Sequence, residues 1–499
     1  MKNILPVTVL MMLLPCMCLA NGITVTNVNI SASGNTNNTW ITCDTAWNNS
    51  FRVGSPEQRD AAWVFAKYQT NGVWGHCTLS TNSADYSTPA GVTIEPTEDG
   101  MGVFVYRNVQ SGGTFSANDL GLAWSYLADN ISTSDTVSIS VLAIEMVYVP
   151  QGSFYVGSGG TESGSFTEGS WAAGATIPFA ITNESALIVS NSAGYLWGTS
   201  TVGNNTIGVA GTLPAEYPKG YNAFYCMKYE ISQGQYADFL NMLTAAQATT
   251  RFPNQNGNYR HTISGTYPNF SASVPDRACN YLSWADGAAY ADWAGLRPMT
   301  ELEFEKACRG PLAPVANEYA WGTSACIDDD GDGTIDVTSP EDGTEIWTNS
   351  AAAQLGISGR GAAAYGNNQI KVGGVINGFG PVRCGLFATA TSTRITSGAA
   401  YWGIMEMSGN LWERPVSVGH ATGRAFTGTH GDGVLDGSGN ADTTSWPASN
   451  AIGAGFRGGN WGNFSGFIRA SDRINAANVY SSRLHGFGFR AGRVAPFGE

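Results

Sequence analysis

The chain has 499 residues, a net charge of −14, only 13% charged residues, 63 glycines and 15 tryptophans. Single cores stop growing at about 250–300 residues, so two or three domains with real cores are expected, in a balance that suits extracellular β-rich or loop-rich proteins. The acidic charge speaks against nucleic acid, whose phosphates need clustered Lys and Arg, and fits a soluble protein that repels other anions.

Residues 1–20 read as a secretory signal, with Lys2 in the leading region, an apolar run from Ile4 to Leu14, and Cys18-Leu19-Ala20 as a small-x-small cleavage site. A lipoprotein signal needs a small residue before Cys16 or Cys18, where Pro15 and Met17 stand. No later run approaches the ~18 apolar residues of a membrane span. A secreted or surface location outside the cytoplasm is expected, with cleavage near Ala20.

Residues 21–144 carry short alternating runs: Val28 and Ile30; Trp63 and Phe65 against Ala62 and Val64; Val103 to Tyr106; Val137, Ile139 and Val141. Turn-forming clusters such as SASGNTNN, TEDGMG and QSGG separate them at a spacing that predicts an antiparallel β-sandwich. A spacer role and a carbohydrate or cell-wall binding role both remain open for it. Of the nine cysteines, Cys16 and Cys18 lie in the signal, and the other seven form no C-x-x-C pair, which argues against a zinc ribbon or thioredoxin motif. In an oxidising compartment Cys43 and Cys77 are placed to staple the sandwich, and the odd count leaves at least one thiol free or paired to another chain.

Residues 145–499 form the second domain, opening on Met146-Val-Tyr-Val-Pro-Gln-Gly-Ser-Phe. After a Gly/Ser/Thr-rich loop from Ser158 to Gly174, Ser232 stands three residues before Gln235, a capping-box spacing, and Tyr236, Phe239, Leu240 and Leu243 make one apolar face. A helix is predicted from about Gln233 to Leu243. Ser283 starts a second helix carrying Trp284, Ala288, Ala289 and Trp293, which stops at Gly295. Thr300, with Glu303 reaching back, starts a third. Glu301, Glu303 and Glu305 sit two apart and point in different directions on a helix, so they are not expected to form an acid–base pair on one face; dipole and capping roles at the helix start are expected instead.

Asp328, Asp330, Asp332, Gly333 and Asp336 reproduce positions 1, 3, 5, 6 and 9 of an EF-type calcium loop. Position 12 is Ser339 in place of the bidentate Glu, with Glu341 as a nearby substitute. The stretch reads either as a calcium site or as a solvated acidic insertion. Further on come Met407-Ser-Gly-Asn-Leu-Trp-Glu-Arg and then the segment Gly455 to Arg490, which begins and ends with Gly-Phe-Arg. Between those triplets the residues are aromatic, small or amide-bearing, with Arg469, Asp472, Arg473 and Arg483 as the only formal charges and neither a period of two nor one of 3.6, so the segment reads as ordered loop held at both ends.

The opening at Met146, the run Arg297-Pro-Met-Thr-Glu-Leu-Glu-Phe-Glu-Lys-Ala-Cys-Arg-Gly, Tyr319-Ala-Trp-Gly, the Gly-Asn-x-Trp-Glu motif and the Arg-Gly-Gly-Asn-Trp to Gly-Phe-Arg close resemble the formylglycine-generating enzyme (sulfatase-modifying factor) family from about Met146 to Arg493. The resemblance implies an α+β fold, C-type-lectin-like, preceded here by the all-β sandwich. It also implies a structural calcium held by the carboxylates of Glu406 and Glu413 and the carbonyls of Gly409 and Leu411, a hard-oxygen set. The family's enzymes carry two cysteines after the Gly-Gly-x-aromatic motif for copper-dependent oxidation of a substrate cysteine. Those positions fall on Asn463 and Ile468, and neither side chain replaces a thiolate as soft ligand or redox sulfur. The sulfoxide synthase branch takes its metal from an added His-rich helical domain. This chain has five histidines, none paired i, i+4 on a helix, and no redox cofactor is expected. No G-x-S-x-G elbow supports a hydrolase either.

The same residues resemble the variable proteins of diversity-generating retroelements, which display a mutable C-terminal patch on this fold. Mutated AAY codons cannot encode Lys, Glu, Gln, Met or Trp, and none of the five occurs from Gly462 to Gly498; on background usage the chance of that is roughly one in a hundred. An ordinary loop of a degenerate family member remains the alternative. The reading is a ligand-binding protein that meets a macromolecular partner, protein or glycan, through residues 463–487. Phe464, Phe467, Ile468, Tyr480, Leu484 and Phe487 are expected to give apolar contact. Asn463, Ser465, Asn475, Asn478, Ser481, Ser482 and His485 are expected to give adaptable hydrogen bonds. An oxidase of the formylglycine-generating type, or another metal-dependent oxidase acting on protein or sulfur substrates, is the competing reading.

Overall fold

The computed structural model describes residues 22–32, 38–55, 57–169, 176–199, 210–327, 334–338, 341–348, 354–389 and 391–496. The expected signal at 1–20 lies outside the described residues. Among those described, no helix is long and apolar enough to cross a membrane.

One eleven-stranded sheet runs through the molecule. Its strands are β1 (Thr24–Ala32), β2 (Thr39–Val53), β3 (Gln58–Thr70), β4 (Val73–His76), β5 (Val92–Pro96), β6 (Val103–Arg107), β7 (Ser111–Trp124), β8 (Ser138–Val149), β9 (Phe224–Met227), β10 (Arg297–Pro298) and β11 (Ala491–Val494). The main path is β1-β2-β3-β8-β9-β11-β10, with β7 on β2, and β4 and β6 on β3. Every pairing along that path is antiparallel.

The alternation along β3 sorts its side chains to two cores, because successive residues of a strand face opposite ways. Ala62, Val64 and Ala66 join Ile41, Trp47, Leu120 and Val141 in a core built wholly from the N-terminal strands. Ala61, Trp63 and Phe65 face the other way and join Tyr225, Trp284 and Trp293. The Trp63 indole donates to the Ala294 carbonyl at 2.8 Å, and the Arg493 guanidinium lies 4.5 Å over its ring. Burying each such aromatic is worth about 1.5–3 kcal/mol, so this is core packing and not a loose contact. The boundary expected at 144/145 falls inside β8: Gln69 to Asp60 of β3 pair with Ser138 to Val147, while Met146 to Val149 pair with β9.

Four helices follow the capping signals. They are α1 (Gln233–Asn241) on Ser232, α2 (Ala245–Arg251) on Thr244, α3 (Trp284–Trp293) on Ser283 and α4 (Glu301–Arg309) on Thr300. Each has a reciprocal capping box, which satisfies two orphan backbone donors at the helix start. Gly287 sits inside α3 because a Cβ there would lie 2.0 Å from the Phe489 ring, so α3 and the C-terminal segment pack backbone to ring.

Candidate functional site

The C-terminal segment is neither helix nor strand over Gly455 to Arg490, and isolated bridges hold it at both ends, Glu413 to Arg457 and Trp412 to Phe487. Its floor is α4. Glu301 and Glu305 are four apart and therefore share a helix face. Arg457 donates to Glu301 at 3.2 Å and to Glu305 at 2.8 Å, and Arg473 grips both oxygens of Glu301 at 2.7 and 3.0 Å. Ser471 donates to Glu305 at 3.0 Å. All five side chains are buried. Burial alone raises a carboxyl pKa, yet Arg473 and Arg457 hold Glu301 below its ordinary value. The capping and dipole role expected for the three glutamates is thus correct for Glu303, which accepts from the Thr300 N–H and from Arg297. Glu301 also lies in the first turn, as the dipole role requires, but it and Glu305 have a role that was not expected: they anchor a segment some 150 residues away.

Above that floor the expected contact residues divide. Phe464 is 77% exposed, Tyr480 41% and Leu484 38%, and Ser481 and Ser482 are exposed beside them. Asn463, Ser465, Phe467, Asn475, Asn478 and His485 are half-buried. The Asn463 amide oxygen accepts from the Asn460 N–H at 2.9 Å, and Asn478 donates to Asn475 at 3.3 Å. Two expectations fail. Ile468 is fully buried among Tyr319 and Trp321, and Phe487 is buried with its ring 4.4 Å from Phe456. Both lack a clean period to mark them as core. Exposed Val479 and Tyr259 were missed; the Tyr259 ring lies 4.2 Å from that of His485 and 5.6 Å from that of Trp461. No sequence spacing announces a partner more than two hundred residues away.

The carboxylates assigned to calcium lie beneath the segment. Glu413 accepts from Arg490 at 2.7 Å and Glu406 from the Gly385 N–H at 2.7 Å. Each keeps a second, buried oxygen without a hydrogen-bond partner. Glu230, which accepts from the Leu411 N–H at 2.8 Å, is a third buried acid in electrostatic contact with both. Burial raises all three above the ordinary carboxyl value, Glu406 to about 7, against the pull of the Arg490 guanidinium. Two orphaned carboxylate oxygens are hard donors of the kind calcium takes, but among the described residues Glu230, Glu406 and Glu413 do not come close enough to one another to hold one ion as a group of three. Asp328, Asp330 and Asp332 lie outside the described residues. Asp336 is on the strand Thr334–Val337, 3.6 Å from Lys371. Glu341 is no free calcium ligand, because Arg260 and Arg277 both hold it. A cluster not anticipated is Asp292, Asp432 and Asp442; the Asp292 carboxylate accepts the N–H groups of Asp432 and Asp442 and so clasps that loop.

Cys43 and Cys77 share the N-terminal core as free thiols, not as a staple, and the other five described cysteines are free as well. Burial pushes Cys43 and Cys226 up to about 12 and raises Cys77, Cys279, Cys308 and Cys384. Half-buried Cys326 lies 3.4 Å from the hydroxyls of Tyr319 and Tyr365.

The profile of the sulfatase-modifying factor enzyme 1-like domain matches residues 137–494. A formylglycine-generating enzyme of Streptomyces coelicolor is 50% identical over 48 residues, 10% of this chain and 15% of that protein. A hercynine oxygenase of Mycobacterium tuberculosis is 29% identical over 21% of this chain and 28% of its own length. The formylglycine-generating enzyme of Bos taurus is 29% identical over 20% and 34%. The chain thus spans about a third or less of these curated relatives. Among solved structures, Treponema denticola variable protein 1 overlaps 71% of this chain and 96% of its own at 11% identity and a TM-score of 0.33. A Major Tropism Determinant U1 variant overlaps 94% and 83% at 14% identity and a TM-score of 0.24. Overlaps this slight say nothing of what the chain binds.

Proposed function

We propose that this chain, which belongs to the sulfatase-modifying factor enzyme 1-like family, is a secreted or surface ligand-binding protein that presents residues 463–487 to a macromolecular partner, protein or glycan. The observation that carries this reading is a division within one segment. Arg457, Ser471 and Arg473 are locked into the α4 floor, while Phe464, Val479, Tyr480 and Leu484 stand in water. Exposing large apolar groups on a firm base is a feature of contact surfaces, where rigid aromatics anchor and small polar groups adapt.

The copper-dependent chemistry of the formylglycine-generating enzymes needs a thiolate, and the family's two cysteine positions hold half-buried Asn463 and buried Ile468. Six of the seven described thiols have their pKa raised by burial, which keeps them protonated. Incubation with copper and a Cys-containing sulfatase peptide tests the alternative; formylglycine above blank would displace the binding reading. The absence of Lys, Glu, Gln, Met and Trp from Gly462 to Gly498 supports diversification by a retroelement. A near-copy of the 3′ coding segment differing at adenines, beside a reverse transcriptase gene, is the genomic observation that decides it.

Substituting Phe464, Tyr480 and Leu484 together by Ala should lower affinity for any partner selected on the wild-type surface by at least about 2 kcal/mol, with an unchanged melting temperature. Undiminished binding rejects the patch. Calcium at Glu406 and Glu413, with the carbonyls of Gly409 and Leu411, is the ion this reading adds, in a structural role. Chelation by EDTA should then lower the melting temperature, because an ion bound only to the folded state stabilises it; a melt unmoved by EDTA and by added calcium removes the ion from the proposal.

A further inference from the structure

We propose that a polar pocket beside the C-terminal segment binds a neutral, hydroxyl-rich ring, a saccharide unit, independently of the exposed patch Phe464, Tyr480 and Leu484. The cavity, about 570 Å³, lies among residues 256–262, Ser273, Val274, Arg277 and residues 377–379, within the size range of small-molecule sites. Asn256, Asn258 and Asn377 stand exposed around it. An amide side chain offers donor and acceptor in one plane, the pairing that adjacent hydroxyls require; Asn258 already donates to Gln255 and Asn377 accepts from Arg260, which fixes their planes and leaves the Asn258 oxygen and the Asn377 amino group for a ligand.

Tyr259 forms one rim. Its ring is 43% exposed yet held, stacked on His485 at 4.2 Å between centroids and 26° between planes. A fixed aromatic face with one side open suits the apolar face of a sugar ring. Of the charged groups at the cavity, Arg260 and Arg277 line it and both hold Glu341, while Arg383 holds Glu345 and Asp276 is buried nearby. The guanidiniums are thus engaged by a carboxylate and not free to seat an anion. Buried His261 is neutral as well, its pKa pulled down to about 4 by burial.

The backbone supports the same assignment. Tyr259 and Arg260 have φ of 45° and 62°, a left-handed conformation that bulky residues seldom adopt. Asn280 donates to the Tyr259 carbonyl at 2.9 Å, and Arg277 and Gln233 donate to the Arg260 carbonyl at 2.6 and 3.2 Å. Gly380 comes so close that a Cβ would stand 2.3 Å from the Tyr259 carbonyl oxygen. Strain held in place from several sides is typical of ligand sites, and here it fixes the ring that faces the cavity.

The test is saturation-transfer NMR and calorimetry on the full chain with chitotriose, cellotriose and mannotriose, and trigalacturonate as the charged control. At least one neutral trisaccharide should bind, and Tyr259→Ala and Asn256→Ala should each weaken it at least about tenfold; Asn256 is exposed, so that variant keeps its fold. The Phe464→Ala/Tyr480→Ala/Leu484→Ala variant should bind the sugar as the wild type does, which separates this pocket from the C-terminal patch. Binding of no neutral trisaccharide, preference for trigalacturonate, or undiminished binding by both pocket variants would overturn the assignment.

Discussion

Lys228 lies 3.0 Å from Asp60 of β3 and 3.0 Å from Glu145 of β8, so one buried ammonium serves two carboxylates. The surroundings decide which acid keeps its proton. Asp60 also accepts from the Trp47 indole, the Ser50 hydroxyl and the Phe51 N–H, while one Glu145 oxygen is buried without a partner. Burial, together with the Asp60 charge, pushes Glu145 up from 4.5 to about 8 although Lys228 pulls the other way. A folded-state pKa above the unfolded one means that the folded protein binds the extra proton. The contribution of Glu145 to stability is therefore complete below about pH 4.5 and is lost as pH rises through about 8. Glu145→Gln lacks this dependence, so the melting temperature of the wild type should fall relative to the variant between about pH 5 and 8. A gap that stays constant over that range would place the proton elsewhere.

At the scale of elements, α4 and the segment Gly455 to Arg490 behave as one piece although no regular structure joins them. Removing one partner of a buried ion pair strands the other, so Arg473→Met, which leaves Glu301 without its two-oxygen grip, should cost about 3–5 kcal/mol in urea unfolding. Ser481→Ala and Ser482→Ala, on the exposed side of the same segment, should each stay within about 0.5 kcal/mol. Equal costs at all three positions would mean that the segment is not anchored as described. The helices were legible beforehand because Ser232, Ser283 and Thr300 act on backbone groups three residues away, a local signal. The segment was legible as loop, but not which of its side chains are buried: Ile468 meets Trp321 and Phe487 meets Phe456, and a loop has no period that sorts inside from outside.

For the whole molecule, the N-terminal strands and the family domain share a sheet and a core. A chain cut to residues 145–499 would leave most of β8 behind, strip the remaining β8 residues Glu145 to Val147 of their β3 partners, and expose Trp293 where Phe65 packs at 5.4 Å. It would also leave Lys228 without Asp60. Such an edge and a buried ion network that has lost one of its members favour aggregation over folding, so this fragment should aggregate or melt without cooperativity in size-exclusion and circular-dichroism measurements, whereas the chain from residue 21 should melt cooperatively. A monomeric, cooperatively melting fragment would make the two parts independent. The amino-acid order by itself determined the helix starts, the strand alternation of the N-terminal part, the family frame and the replacement of two cysteines by Asn463 and Ile468, because each rests on neighbouring residues or a contiguous motif. Only the tertiary structure decided that Glu301 and Glu305 anchor the C-terminal segment, that β3 serves two cores, and that Tyr259 completes a pocket beside His485. Those depend on which surfaces meet after distant stretches have folded, and spacing along the chain carries no record of that.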